Sequence, residues 1–144
     1  QSQRVGPEDP VRPDTLYAVT KVFGEALGRL YADKWQMEVV CLRIGAFAEH
    51  PKDAHALRIW LSPRDAVQLF TKALTAPDVR FLVVYGLSKT RQPWWDNPGA
   101  DVLGYEPIDE VEPAVSKALE REGDPASSPF QGGPFAERDY WRGP

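Results

Sequence analysis

A tyrosine and a lysine lie four residues apart in the stretch TLYAVTKVFGEALGRLY, residues 15–31. Residues with this spacing face the same side of a helix on neighbouring turns, so the side chains of Tyr17 and Lys21 would lie next to each other. A free tyrosine loses its hydroxyl proton near pH ~10, and a neighbouring ammonium group favours the phenolate that remains. Such a pair can act as a general base that removes a proton from a hydroxyl group.

The spacing alone is weak support for this chemistry, since short motifs also occur by chance. A second Tyr-x-x-x-Lys match, YGLSK at 85–89, follows a predicted strand and contains Gly86, so its residues are expected in a turn rather than on a helix. The other interpretation of the first match is an ordinary helix with a half-buried tyrosine and a solvated lysine. Spacing does not decide between the two.

The pair needs a helix to position it, and apolar residues at intervals of three and four predict one over residues 14–34. These apolar residues are Leu16, Val19, Phe23, Leu27 and Leu30. Asp14, directly after Pro13, is the predicted N-terminal cap. The stripe of the pair continues through Gly24 and Gly28, where small residues would let a backbone or a ligand come close.

Downstream, the sequence predicts a strand, a helix and a second strand. MEVVCLRI at 37–44 and RFLVVYG at 80–86 are rich in β-branched residues, and a glycine marks the end of each. Ser62 can cap the helix between them, with Pro63 at its first position. The side of this helix toward the sheet is expected to include Val67, Leu69, Phe70 and Leu74. Strand, helix and strand with short joints form the βαβ unit of a parallel sheet, so the fold class is α/β.

The remaining segments are less regular. A loop is expected around His50 and His55, and the stretch WWDNPGADVLGYEP at 94–107 mixes aromatic with turn residues. A further amphipathic helix is predicted within 110–122. The two histidines lack a neighbouring cysteine or second cluster, so we expect no metal site. Cys41 lies in an apolar strand, where packing is a more frequent role than nucleophilic attack.

Composition excludes several classes of protein. The net charge of -4 and the pI near 5.2 provide no basic excess to bind nucleic acid or an anionic membrane. The longest apolar runs, VVCL and FLVVY, are far shorter than the ~20 residues that cross a bilayer. A single cysteine rules out a disulfide within the chain and fits a cytoplasmic location.

Several segments, taken in order, resemble the second half of the extended short-chain dehydrogenases, the NAD-dependent epimerase/dehydratase family, and most of all its uronate dehydrogenases. The segments between Arg12 and Pro107 are RPDTLYAVTKVFGEALGRLY, EVVCLRIGAF, WLSPRDAVQLFTKAL, VVYGLS, WWDN and LGYEP, and QGG follows at 131–133. The resemblance implies that residues 1–122 form the C-terminal half of a Rossmann-type domain with substrate-binding elements. Residues 123–144 are expected to form an irregular tail.

The resemblance also implies roles for individual residues. Tyr17 would be the general base, and Lys21 would favour its phenolate and hydrogen-bond the nicotinamide ribose. Ile44 and Gly45 would form the turn beside the nicotinamide, at the carboxyl end of a strand where open α/β sheets bind ligands. The implied cofactor is NAD, with NADP left open. The implied assembly is a homodimer built on the helix of Tyr17, with Gly24 and Gly28 allowing close packing.

Some features of the family are absent or altered. The chain has neither the glycine-rich dinucleotide loop nor the catalytic serine or threonine that precedes the tyrosine in the family. We therefore expect it to need an upstream half or a partner chain for activity. Ala46 stands where uronate dehydrogenases have a serine, and His55 where they have a carboxylate-binding arginine. Because histidine is a cation only when protonated, Lys52 or Arg58 could provide the charge instead.

The sequence thus predicts an NAD-dependent oxidoreductase that acts on a sugar or sugar acid, with Ala46, His55 and Arg58 as candidate substrate-binding residues. One alternative is a nucleotide-sugar epimerase or dehydratase that uses the same Tyr17 and Lys21 pair. A second alternative is a catalytically silent fragment or a binding subunit.

Overall fold

The structure is a computed structural model, and it describes residues 4–91, 93–122 and 136. In chain order the elements are α1 Leu16–Trp35, β1 Val39–Ile44, β2 Ala46–Phe47, α2 Ala54–Ile59, β3 Trp60–Leu61, α3 Pro63–Thr75, β4 Phe81–Gly86, α4 Pro98–Leu103 and α5 Pro113–Glu122. Apart from residue 136, the tail expected at 123–144 lies outside the described residues.

Strands β1 and β4 form the parallel pair that the sequence predicts. Their register runs from Val39 opposite Phe81 to Ile44 opposite Gly86, and α3 lies in the connection between them. A shorter parallel pair, β2 with β3, places Ala46 opposite Trp60. The α/β class is therefore confirmed, with the carboxyl ends of β1 and β4 side by side.

Helix α1 begins two residues later than expected and has a different cap. The hydroxyl oxygen of Thr15 accepts a hydrogen bond from the backbone N–H of Ala18 at 2.9 Å. The prediction that Asp14 is the cap is wrong, because Thr15 occupies the last extended position before the helix.

Helix α1 packs on the sheet through its small residues rather than its apolar ones. Ala32 is fully buried, and a Cβ atom at Gly28 would lie 3.0 Å from Cγ1 of Val39. The apolar side chains that define the helical pattern are between 41% and 67% exposed. We call this set the outer face of α1: Leu16, Val19, Phe23, Leu27 and Leu30. Periodicity thus predicts the helix correctly, but the apolar side points away from the sheet.

Helix α3 starts as predicted, although most of its apolar residues do not face the sheet. Ser62 Oγ accepts a hydrogen bond from the backbone N–H of Asp65 at 3.0 Å, and Pro63 occupies the first turn. Leu69 is fully buried, as expected. The expectation is wrong for Val67, Phe70 and Leu74, which are 51% to 85% exposed. Asp65 lies on the buried side of α3 instead, because it binds groups on two other segments.

We call these contacts the Asp65 junction: Ser62, Asp65, Ser88, Ile108 and Asp109. The Asp65 carboxylate is fully buried and accepts hydrogen bonds from Ser88 Oγ at 2.6 Å and from the backbone N–H groups of Ile108 at 2.7 Å and Asp109 at 3.1 Å. Ser88 Oγ accepts from the Ser62 N–H at 2.9 Å. The junction therefore ties the start of α3 to the loop after β4 and to the segment before α5.

The apolar core adjoins this junction, and one of the two helices that the sequence does not predict, α4, contributes to it. Its buried members are Leu61, Ala66, Leu69, Val79, Val84, Leu103 and Tyr105. Helix α4 approaches β4 closely, since a Cβ atom at Gly99 would lie 2.7 Å from the carbonyl oxygen of Val83. Helices α2 and α4 have six residues each and replace the expected loop and turn-rich segment. The predicted helix within 110–122 is present as α5.

Candidate active site

Tyr17 and Lys21 lie together on α1, as their spacing predicts. The Nζ atom of Lys21 is 4.7 Å from the centre of the Tyr17 ring. Tyr17 is 69% exposed, and Lys21 is exposed as well. Both side chains are therefore accessible to a substrate or cofactor, and the Lys21 ammonium lies over the Tyr17 ring.

The same stripe of α1 continues one turn further to Glu25, which forms a bidentate ion pair with Arg43 of β1. Arg43 donates from Nε to Glu25 Oε1 at 2.8 Å and from Nη2 to Glu25 Oε2 at 2.8 Å. The two side chains are only 24% and 20% exposed. The hydrogen bonds to Glu25 raise the pKa of the Arg43 guanidinium above its usual value. This pair joins the helix of Tyr17 and Lys21 to the strand that ends at Ile44.

Arg43 also donates a hydrogen bond to Tyr85, whose ring stacks on another aromatic ring. Arg43 Nη1 donates to the Tyr85 hydroxyl at 2.8 Å, and the Tyr85 ring stacks on Trp95 with 4.7 Å between ring centres and 7° between planes. Asn97 fixes the backbone of Tyr85, accepting from its N–H at 2.9 Å and donating to its carbonyl oxygen at 2.7 Å. Tyr85 is only 4% exposed, so its hydroxyl is a well-defined anchor for Arg43.

Ile44 and Gly45 lie at the carboxyl end of β1, as predicted. Ile44 is 39% exposed there. A Cβ atom at Gly45 would lie 1.9 Å from the carbonyl oxygen of Ile59, so only glycine permits this close contact between the end of β1 and the end of α2. Gly45 thus fixes where α2, the helix of His55 and Arg58, lies relative to the end of β1.

The candidate substrate residues divide into two places. His55 and Arg58 meet at Trp94: the His55 ring meets it edge-on with 5.0 Å between centres, and the Arg58 guanidinium lies 5.3 Å from its centre. Ala46 is partly buried in β2, opposite Trp60 of β3. The structure therefore brings His55 and Arg58 together and places Ala46 on the adjoining strand pair.

Arg58 also lines an open groove between α2, the loop after β4 and the start of α5. Lys89 and Arg91 add two further cations to its lining, while Glu110 is the acidic residue there. Arg91 and Glu110 are 3.6 Å apart at Nε and Oε1. Positive groups therefore outnumber negative ones in the lining of the groove.

Cys41 fits the packing role expected of it, and Trp60 packs in the interior as well. Cys41 is partly buried, and its pKa is raised first by burial and then by the Glu25 carboxylate, which makes the reactive thiolate less accessible. Trp60 is buried, and its Nε1 donates to the carbonyl oxygen of Ala48 at 2.7 Å. Within 4–91 and 93–122, no cluster of three or more His, Cys, Asp or Glu side chains is arranged to hold a metal ion. None of the helices described has the length and apolar character needed to cross a membrane.

Comparison with known proteins finds similar chains both in sequence and in structure. A uronate dehydrogenase from Pseudomonas putida is 39% identical over 140 residues, which cover 94% of this chain and 52% of that protein. The structure of a glucuronic acid dehydrogenase from Chromohalobacter salexigens superposes with a TM-score of 0.83 at 38% identity, covering 93% of this chain and 52% of the other. The chain is homologous to the uronate dehydrogenases. No model of a protein family matches it.

A uronate dehydrogenase variant from Agrobacterium tumefaciens, solved in complex with NAD, superposes with a TM-score of 0.79 at 37% identity. That match covers 93% of this chain and 52% of the other. The chain spans about half the length of the uronate dehydrogenases it matches. The family resemblance seen in the sequence is confirmed, and the partial coverage is consistent with the expected correspondence to the C-terminal half of a Rossmann-like fold.

Sequence reasoning missed the ion pair behind the tyrosine helix. Two signals for it were present: Glu25 stands four residues after Lys21, and Arg43 is a lone charge in the apolar strand VVCLRI. A charged residue in such a strand needs a partner, because burying an unpaired charge is costly. The sequence did not identify that partner, since it is 18 residues away along the chain.

Proposed function

We propose that the protein containing this chain is an NAD-dependent oxidoreductase that acts on a sugar acid. The observation that carries the proposal is the Lys21 ammonium 4.7 Å from the ring of an exposed Tyr17. It is supported by homology to uronate dehydrogenases, one of which was solved with NAD. The tyrosine would act as general base on a hydroxyl of the sugar.

The residues present fit the cofactor. An exposed ammonium and a phenol hydroxyl can hydrogen-bond ribose hydroxyls, and the exposed Ile44 offers an apolar contact for a flat ring at the carboxyl end of β1. Lys21 and Tyr17 would therefore hold the ribose, with Ile44 and Gly45 beside the nicotinamide. Bound NAD supplies the acceptor for the hydride that leaves the sugar carbon. Tyr17 would take the proton from the oxygen of the hydroxyl group on that carbon, and Lys21 would stabilise the phenolate form of Tyr17 that acts as the base.

Arg58 is the candidate ligand for the substrate carboxylate. It is permanently charged, lies on the same helix as His55, and lines the groove together with Lys89 and Arg91. His55 contributes charge only in its protonated form. We therefore assign the charge recognition to Arg58 and a secondary contact to His55, with Ala46 as a small residue near the substrate.

The replacement Tyr17→Phe tests the catalytic assignment. It removes the proton acceptor and leaves the exposed ring in place, so turnover of a uronate with NAD by the complete natural protein should fall by about 100-fold to 10,000-fold. Tyr31→Phe is the matched control, since Tyr31 lies on the same helix and is 42% exposed. Turnover that is unchanged in Tyr17→Phe would contradict the proposal.

We further propose that the complete protein is a homodimer joined through the outer face of α1. The exposed apolar side chains of this face support the proposal, as does Gly24, where a Cβ atom would meet nothing within 4 Å. Gly28 does not contribute, because it faces Val39 of β1, and the prediction that it packs against a partner is wrong. A cytoplasmic location stays a prediction from the single cysteine.

A further inference from the structure

Three chemically active side chains follow one another along a single stripe of α1. Tyr17, Lys21 and Glu25 are each separated by four residues, and side chains with this spacing are close enough to form an ion pair. Glu25 can therefore compete with Tyr17 for Lys21. A pair between Lys21 and Glu25 would draw the ammonium one turn away from the phenol oxygen.

The structure shows Glu25 occupied by a stronger partner. Both of its carboxylate oxygens accept hydrogen bonds from Arg43 at 2.8 Å, in a pair that is largely shielded from water. Bidentate bonds between arginine and a carboxylate are stronger and more directional than a single contact to lysine. Lys21 lies over the Tyr17 ring instead, 4.7 Å from its centre.

We propose that Arg43 is a positioning residue for Tyr17 and Lys21: by binding Glu25, it keeps the Glu25 carboxylate from capturing the Lys21 ammonium. The inference rests on the proposed function, because it takes Lys21 to be the group that favours the Tyr17 phenolate. Arg43 itself acts through Glu25 and has no contact with the reacting groups in this assignment.

The groups around Glu25 come from three elements, and Arg43 is the cation that pairs with it. Arg43 and Cys41 face it from β1, Tyr85 adjoins the pair from β4, and Lys21 precedes it on α1. The Glu25 carboxylate raises the pKa of the Cys41 thiol while Arg43 lowers it, so both charges act across this space. Tyr85 holds Arg43 in place but carries no positive charge. Lys21 and Arg29 lie four residues before and after Glu25 on α1, and Arg29 is already paired with Asp33 at 3.0 Å. Loss of Arg43 would therefore leave Lys21 as a cation able to pair with Glu25.

The test is the pH dependence of kcat/KM for the complete natural protein, with a uronate and NAD as substrates. In Arg43→Met, the limb that reports the base should move to higher pH by about one unit, because Lys21 now pairs with Glu25. The double variant Arg43→Met/Glu25→Gln should return the limb to within a few tenths of a unit of the wild type. A purely structural role predicts lower activity at every pH, no movement of the limb and no rescue.

A second readout does not require turnover and so separates this inference from the proposed function. The ultraviolet absorbance of the phenolate is titrated in each variant and in its Tyr17→Phe counterpart, and the difference isolates Tyr17. Arg43→Met should move the midpoint upward in the same way as the limb. If uronates are not oxidised but the midpoint moves, the proposed function fails and the positioning role stands.

The matched control is Arg29→Met, which removes an exposed ion pair with Asp33 at 3.0 Å on the same helix. It should leave the Tyr17 midpoint unchanged. If Arg43→Met does not fold, Arg43→Gln serves instead, since it keeps one hydrogen bond to Glu25 without the charge and should shift the midpoint in the same direction. An unmoved midpoint in the folded variant, or a double variant as shifted as the single one, overturns the inference.

Discussion

The Asp65 junction and the outer face of α1 differ in how far contacts within this chain bury and satisfy their side chains. At the junction, Asp65 is fully buried and Ser62 and Ser88 are each 3% exposed, with hydrogen bonds among these side chains and to neighbouring backbone groups. On the outer face, apolar side chains reach an exposure of 67% at Phe23. The polar groups of the junction are hydrogen-bonded within this chain, whereas the outer face of α1 presents exposed apolar side chains that suit an interface.

The two regions differ in whether contacts within the described part of the chain satisfy their side chains. Buried polar groups are tolerated only when they are hydrogen-bonded, and two other segments, at Ser88 and at residues 108–109, supply the bonds to the Asp65 carboxylate. An exposed apolar face carries no such requirement within the chain and gains stability only when it is covered. Tyr17 and Lys21 share a helix with this face. The proposed base therefore lies on a helix whose apolar side chains are largely exposed.

The largest expected effect is at the junction. Asp65→Ala removes the buried acceptor of three hydrogen bonds, and the free energy of unfolding should fall by about 3 kcal/mol, measured by urea denaturation. Asp101→Ala is the control, since Asp101 is exposed on α4, and it should change the free energy by less than ~0.5 kcal/mol. If both variants lose the same free energy of unfolding, the Asp65 junction is no more important for stability than the exposed surface.

The outer face should respond in the opposite way. The double variant Phe23→Lys/Leu27→Lys should change the folding free energy of this chain by no more than ~0.5 kcal/mol, because both side chains are already exposed. In the complete natural protein, the same variant should convert the proposed dimer to a monomer, as measured by analytical ultracentrifugation. A wild-type protein that is already monomeric at working concentration would contradict the homodimer.

The smallest expected effect is the change in unfolding free energy at low pH that Asp109, the most exposed carboxylate of the junction, contributes. Arg64 and then Ser62 hold the pKa of the Asp109 carboxyl below its usual value through hydrogen bonds. A carboxyl with a depressed folded pKa stabilises the protein above its unfolded value of about 3.9, and this contribution is lost as pH falls through the folded value. Asp109→Asn should therefore flatten the decline of unfolding free energy below about pH 4. Because Arg64 is 62% exposed, the change should be small.

Urea titrations of the wild type and Asp109→Asn across this pH range measure the effect. Asp101→Asn provides a matched exposed carboxylate without the arginine partner. If both variants change the unfolding free energy below about pH 4 by the same amount, the ion pair of Asp109 with Arg64 adds nothing beyond an ordinary exposed carboxylate.

The sequence predicted the elements whose patterns are long enough to repeat. Helix α1, helix α3 and strands β1 and β4 show this, and Ser62 was recognised as a cap because its bond is made three residues away. Helices α2 and α4 were missed because six residues give fewer than two turns and no repeat to detect. The pattern also did not predict which side of α1 packs on the sheet. An apolar stripe indicates side chains that are favourably buried, but it does not identify the surface that buries them.

The sequence by itself determined that Tyr17 and Lys21 lie together, because a separation of four residues in a helix fixes their distance through local backbone geometry. Only the tertiary structure decided that Glu25 belongs to Arg43, 18 residues away, and that Arg43 is anchored by Tyr85, 42 residues further along. These contacts depend on the parallel pairing of β1 with β4 and on the packing of α1 across that pair. Long-range partners are selected by packing of the whole chain, and no local pattern encodes which of several charges will meet.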